Sequence, residues 1–583
     1  MRVTQSCPTA RRGMQVLILT VLASLLLAAC GGAVNPPPTP ISGDADVTAT
    51  PAPPTTLDKI RSAEQAGTVS HANAWLYRVE RILDPAALPS EIKGADQPSL
   101  WSRLTGAGRK VRVAATAQVH QAVTALGQAT RHWSEIPADL RAKFQPYRSR
   151  PTDPTSFWYS QFIAPSSVRA PGLGAPTEAA AAFIAVDVPH TPIRVWYLKS
   201  HPADAAVAQQ LAAEIDSSGM WAKEQAVMLN HTPCSDAGLP DNGGDGRLDV
   251  YMVPPGRGAA RPDSGGDKQK MPAASADYEI DGLTIPQDTD GTCPSRDFMM
   301  LNTDQDWNSL RTTMAHELFH TFQDSFVQTD GADWWDEASA VWAQDLVYPT
   351  DDEEQNQLES GNWSNYDGVV GPLDLFDDNG LAQYGAYIWP FYLTHRPGGD
   401  PRLIGQFYQA GTTKAPIEVF HDTPGWNDRF KEFALWNWNK APVEIYRDHG
   451  QPIKALAQIA QPFSSTALSL NNSSDKVKVS LAASSMIYYE LATIDDGPGF
   501  VHTLRFDLSG VTGGDGAGVQ AILTTAGGKR VEDWSSLPSK TFCRDRSSDH
   551  ITNVVLVVTN SAIETQTHLK GKITATAAAD ACP

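Results

Sequence analysis

The sequence predicts an α+β protein in three folded parts: a mainly helical N-terminal module, a mixed central domain and a C-terminal β-sandwich. Three observations predict this. Apolar residues recur at three- and four-residue spacing between 57 and 150. From about 180, strand-like runs alternate with long helical stretches. After about 465 the pattern becomes short β-type runs separated by Gly, Asp and Ser, as in a sandwich. A length of 583 residues fits several domains better than one core.

Composition narrows the function. Hydrophobic residues make up 41% and charged residues 19%, values of a folded chain. With 46 Lys+Arg against 66 Asp+Glu the net charge is −20. Nucleic-acid binding needs a basic face, so that partner class is excluded as the main one. The same balance excludes a polybasic membrane-surface protein.

At the N-terminus, Arg2, Arg11 and Arg12 precede an apolar run from Val16 to Ala29, too short to span a bilayer. The run ends in Leu27-Ala28-Ala29-Cys30, which resembles a bacterial lipoprotein signal peptide (1–29) with Cys30 as the lipid attachment site. An ordinary secretory signal cut nearby is the alternative. Gly31 after Cys30 points, by the usual sorting rule, to the outer membrane or cell surface of the bacterial envelope. Residues 30–56 are Pro-rich and read as an extended linker. The expected contact with the membrane is through the lipid alone.

The helical module is expected over 57–175. Ala72, Trp75, Leu76, Val79, Ile82 and Leu83 form one helical stripe, which Pro85 ends. A second helix is expected over about 111–129, and a Pro-rich loop over 146–176. Whether this module is a propeptide or an interaction domain is left open by the residues. The central domain is expected over 176–460. Ile193–Leu198 and Leu248–Val253 read as strands, with a long helix from Asp204 to about Met228 between them. Phe298–Leu301 reads as a third strand, and helices rich in Trp fill 308–440. In the 461–583 domain, β runs are expected at 477–481, 486–494, 501–508, 554–558 and 573–576. Cys234 with Cys293, and Cys543 with Cys582, are the expected disulfides of an oxidising compartment.

The chemistry sits in His316-Glu317-Leu318-Phe319-His320. On a helix, residues i and i+4 share a face, so both imidazoles reach one Zn²⁺. Glu317, one step round, is placed for a water on that metal. Leu310, Met314, Leu318 and Phe322 form a stripe on the other side that anchors the helix in a core. A third ligand is needed. Glu337, 17 residues after His320, is the first candidate. Asp336 competes with it, and Asp333 is read as the cap of the second helix.

A His-Glu-x-x-His helix followed by a helix bearing a Glu resembles the gluzincin metallopeptidases. The wider order, with Asp249-Val250-Tyr251-Met252-Val253 before the motif and Trp334-Trp335-Asp336-Glu337-Ala338-Ser339-Ala340 after it, is similar to bacterial secreted metallopeptidases of that clan over roughly 180–440. The resemblance implies a zincin-like catalytic domain and hydrolysis of peptide bonds in a protein or peptide substrate, with Zn²⁺ as cofactor and Glu317 as general base. It also implies a donor for the developing oxyanion. Tyr384 and then Tyr387, 47 and 50 residues past Glu337, are the candidates, with His395 behind them; core packing is the alternative for both tyrosines.

Two weaker signals remain. Asp241, Asp245 and Asp249 fit part of a calcium-loop spacing, although position three is Gly and position twelve is Met252; a plain turn into the next strand is the alternative. Residues 331–380 hold 13 acidic residues and no Lys or Arg, which suits basic peptides, Ca²⁺ or simply a solvated surface. The competing function is a non-catalytic surface-binding lipoprotein that presents the β-sandwich on a peptidase-like scaffold.

Overall fold

A computed structural model describes residues 53–95, 109–162, 182–253, 281–289, 293–359, 369–376, 382–443, 446–453, 460–463, 468, 474–491, 494, 501–564, 567–578 and 582. The signal peptide, Cys30 and nearly all of the Pro-rich linker lie outside the described residues. Residues Ala52–Pro583 belong to one unit. Helices and sheets are both present, and no helix among the described residues is long and apolar enough to cross a membrane.

The centre is a five-stranded sheet of β1 (Phe183–Asp187), β2 (Ile193–Leu198), β3 (Leu248–Val253), β4 (Gly282–Asp288) and β5 (Arg296–Asn302). Its spatial order is β1-β2-β3-β5-β4. β2, β3 and β5 run parallel, and β1 and β4 are antiparallel edges. β3 is buried at every position, as a central strand covered on both faces must be. β1 and β4 were not evident in the sequence: β1 alternates poorly and β4 contains Pro286, which only an edge strand tolerates. The long helix expected from Asp204 is two helices, Asp204–Ser217 and Met220–Val227, broken at Gly219 with φ 66°. An L side chain is strained in that left-handed conformation, so Gly is the residue that lets the chain turn there.

Each face of the sheet carries its own core. On one face, Val195, Val250, Met252 and Met299 meet Leu211 and Ile215 and the helices Trp307–Gln323 and Asp333–Val347. Trp334, Trp335, Trp342 and Trp389 are all buried there, so they pack this helical layer. On the other face, Leu198, Tyr251, Ile285 and Phe298 pack against Leu76, Val79, Leu126, Leu140 and Phe144 of the N-terminal helices His71–Leu83, Arg109–Arg131 and Ala138–Arg148. The main apolar face of these helices is thus completed by the sheet. Pro146 also sits inside the third of them, close to its end, where one missing N–H is tolerated.

The C-terminal region forms two further sheets. One has four strands: Ser474–Leu481, Leu569–Ala578, Thr503–Asp507 and Ser539–Cys543. The other has six, centred on Ile551–Asn560 between Ala517–Thr525 and Ser485–Leu491. Val479, Leu504, Phe506 and Ile573 of the first and Tyr489, Leu523, Val554 and Leu556 of the second share one apolar core. The disulfides Cys234–Cys293 and Cys543–Cys582 are present.

Candidate metal centre

Asp306 starts the helix Trp307–Gln323: its carboxylate accepts a hydrogen bond from the Ser309 N–H at 3.1 Å. Leu310, Met314, Leu318 and Phe322 bury themselves in the core below the sheet. His316 and His320 consequently share the opposite side, with their Nε2 atoms 3.1 Å apart. The chain turns back through 324–332 into the helix Asp333–Val347, and Glu337 lies in its second turn. Glu337 Oε2 stands 3.3 Å from His316 Nε2 and 3.7 Å from His320 Nε2.

Asp333 does not cap this helix. The N-cap is Ala332, and the Asp333 carboxylate instead accepts hydrogen bonds from Gln128 (2.8 Å) and Arg131 (3.1 Å) of the helix Arg109–Arg131. Asp336, the competing ligand, is turned away: its Oδ1 accepts a hydrogen bond from Tyr408 at 2.8 Å.

These residues fit a zinc ion. Glu337 Oε2 is buried with no hydrogen-bond donor, and the ligand atoms of His316, His320 and Glu337 lie within 4.8 Å of one another. Two imidazole nitrogens and one carboxylate are a donor set that zinc accepts. The His320 Nδ1–H donates to Gln323 Oε1 at 2.6 Å, which leaves Nε2 free to ligate. Gln323 is itself held by the Asp336 carbonyl and Ser339 Oγ. Burial pulls the His320 pKa down, but contact with Glu337 and the charges of Glu337 and Glu317 outweigh it and push it up to about 10. Burial lowers that of His316. The three imidazoles around Glu337 hold its carboxyl well below the usual range although burial opposes them.

Glu317 points toward β4. Thr284 Oγ1 lies 2.8 Å from both the Glu317 carbonyl oxygen and its Oε2. Gly282 makes this approach possible, because a Cβ there would stand 2.6 Å from Glu317 Cγ. The cleft beside the centre is lined by Leu283, Thr284, Glu317, His320 and Glu337 on one side. His120, from the helix Arg109–Arg131, also lines it; no sequence motif singles this residue out, and its Nδ1 lies 3.6 Å from Glu337 Oε1. It is the sole His of a helix whose position across the cleft is set by tertiary packing, so no local signal marks it.

Tyr384 comes to the centre. Its ring stacks on His316 with centroids 6.2 Å apart and meets His120 edge-on at 5.9 Å, and its buried hydroxyl has no hydrogen-bond partner. Burial is the main reason its pKa is raised, with the charges of Glu337 and Glu317 adding to it. Tyr387 makes no ring contact with His316 or His120; burial raises its pKa, and the charges of Glu354, Asp345, Asp448 and Asp352 add to that. The helix Ala382–Gly385 ends between the two tyrosines and Tyr387 caps the next helix, Ile388–His395, so the two side chains do not share one helical face. His395 also lies elsewhere, stacked on Phe391 at 3.8 Å.

The calcium loop expected at Asp241, Asp245 and Asp249 is not assembled. Asp249 pairs with Arg150 and accepts from Trp196 Nε1 at 2.7 Å, Asp245 pairs with Arg194 at 2.8 Å, and Asp241 Oδ1 accepts from Thr152 at 3.4 Å. Among the described residues these carboxylates are in none of the clusters able to hold a metal. Arginines supply the charge a cation would have supplied.

No protein-family model matches the chain, and no curated protein matches it either.

Proposed function

We propose that the chain is a zinc-dependent peptidase of the zincin type, carried on a lipid anchor at Cys30 in the bacterial cell envelope, with a C-terminal β-sandwich. One observation carries this reading: two imidazole nitrogens and a carboxylate oxygen converge beside a Glu that is not among them. Bound Zn²⁺ would supply Lewis acidity and a water of lowered pKa. His316, His320 and Glu337 would hold it. The Glu317 carboxylate accepts a proton from the attacking water and delivers it to the leaving amine nitrogen. Thr284 fixes one face of that carboxylate. The Tyr384 hydroxyl donates to the oxygen on which charge develops.

The test is zinc content and cleavage of an unfolded protein by the purified mature chain. About one zinc per chain is expected, with activity. Glu317→Gln should keep the zinc and lose nearly all turnover. Zinc-free protein, or a variant that cleaves at the original rate, overturns the reading.

A further inference from the structure

The outer face of the four-stranded sheet is exposed and basic. The six-stranded sheet lies between two cores: Tyr489, Leu523, Val554 and Leu556 point to the four-stranded sheet, while Met486, Tyr488, Ile522, Val555 and Val557 join the core of the helical layer. The four-stranded sheet is therefore an outer layer, separated from the helices by the other sheet. Its inward positions are apolar, with Val477, Val479, Leu481, Ile573 and Ala575 in the shared core. The alternate positions face solvent, and Lys476, Lys478, Lys570, Lys572 and Arg505 stand there, all exposed.

Strand register gathers these charges. Lys478 lies directly opposite Lys572, Ser480 opposite Lys570, and Lys476 opposite Thr574. The four lysines thus occupy successive rungs of two neighbouring strands, over roughly 14 Å along the strands. Arg505 is opposite Thr576, one strand further across. Like charges directly opposite on a sheet are destabilising, so Lys478 against Lys572 is a cost that nothing in the fold offsets. Asp507 is the one acid at the outward positions of these strands, and its carboxylate accepts from the Ser509 N–H at 3.1 Å and Oγ at 2.7 Å. Among the described residues none of the five cations is in an ion pair. The chain's net charge of −20 is an average that hides this face.

Charge complementarity calls for an anionic partner, and the make-up of the face selects among anions. Its outward positions hold no aromatic ring, the platform on which nucleic-acid bases or sugar rings stack. Lysine is a flexible point charge, unlike the rigid fork of Arg that reads one anion geometry. Such a face suits an array of mobile anionic headgroups. We propose that the outer face of the four-stranded sheet docks on an anionic lipid bilayer through Lys476, Lys478, Lys570 and Lys572, with Arg505 beside them. The setting rests on the anchor proposed at Cys30, which holds the chain near a bilayer; the contact does not involve the zinc centre. The attraction reaches only about 8 Å at physiological salt. The acidic remainder of the chain is repelled by the same surface, so the docked protein is oriented with this sheet toward the lipid.

The test uses the full mature chain produced without lipid, so that only the face can bind. It should co-sediment with vesicles containing phosphatidylglycerol at low salt, less so as salt rises, and not with vesicles of phosphatidylcholine alone. Each Lys→Gln change among the four should weaken binding about fivefold. The quadruple variant should lose it, with an unchanged circular dichroism spectrum. Lys199→Gln and Lys529→Gln, at exposed lysines outside this sheet, should bind like wild type. A wild-type chain that binds phosphatidylglycerol vesicles no better than phosphatidylcholine ones overturns the proposal. So does a quadruple variant that binds undiminished. Tighter binding to soluble dextran sulfate than to the vesicles also overturns it, because the occupant would then be a polyanionic glycan. Lipidation of Cys30 is read separately, by mass spectrometry of the membrane-extracted protein, so a missing anchor and an inert face are told apart.

Discussion

His120 Nδ1 lies 3.6 Å from Glu337 Oε1, while Glu337 Oε2 faces His316 and His320. The two oxygens of one carboxylate are thus assigned to different tasks. Oε1 faces His120 of the helix Arg109–Arg131, and under the proposed function Oε2 would be left for the metal. Groups that orient a ligating carboxylate in this way typically contribute about 10–100-fold to metal affinity. His120→Ala should weaken zinc binding by roughly that factor, measured by competition with a chelating dye, with an unchanged circular dichroism spectrum. His120→Asn, which keeps a donor, should recover part of it. Unaltered affinity in the alanine variant would mean that the contact is incidental.

Tyr384 and Tyr387 allow a paired comparison. Both hydroxyls are buried without a hydrogen-bond partner, but only the Tyr384 ring stacks on His316. Removing one oxyanion donor typically costs ~10²–10³ in kcat. Tyr384→Phe should show a loss of that size with little change in KM, whereas Tyr387→Phe should turn over at close to the wild-type rate. The reverse result would assign the donor to the wrong tyrosine.

The raised pKa of His320, about 10, has a consequence for metal binding. In the metal-free protein at neutral pH the imidazole beside Glu337 carries a proton. A ligating imidazole must be neutral, so binding releases about one proton. Affinity should therefore rise as pH rises toward 10, by about tenfold per unit for one displaced proton. Titration calorimetry in two buffers of different ionisation enthalpy reads the released proton directly, and zero release would contradict the assignment.

The local parts of this site were legible and the distant parts were not. His316, Glu317 and His320 are fixed by helical spacing alone, and Glu337 by the return of the next helix. The strands at 193–198 and 248–253 were visible because buried parallel strands are continuous apolar runs. His120 was hidden because its role depends on where a whole helix docks. Asp333 looked like a cap because Asp before a helix usually is one; here Arg131 and Gln128, from far upstream, take its carboxylate. Asp241, Asp245 and Asp249 looked like a calcium loop because spacing does not reveal that Arg150 and Arg194 arrive at the same place.

Arg150 decides whether the N-terminal helices are removable. Its side chain is 0% exposed, one guanidinium nitrogen pairs with Asp249, another pairs with Asp236, and Nε donates to Gln287 at 2.8 Å. Burial already raises Asp236 to about 6 against the pull of Arg150. Taking the guanidinium away leaves two buried carboxylates without a counter-charge, which typically costs about 3–5 kcal/mol. Arg150→Met should lose stability of that order at neutral pH, measured by urea unfolding. The carboxyl pKa values would rise further in the folded variant, so the folded state would bind protons the unfolded state does not. The deficit should therefore shrink as pH falls through those raised values, where the carboxyls are neutral. A chain beginning at residue 182 would lose Arg150 and also expose Leu198, Tyr251, Ile285 and Phe298 to water. It should be insoluble, and mass spectrometry of active enzyme should find residues 57–162 still attached. A soluble, active chain starting at 182 would show that these helices are dispensable.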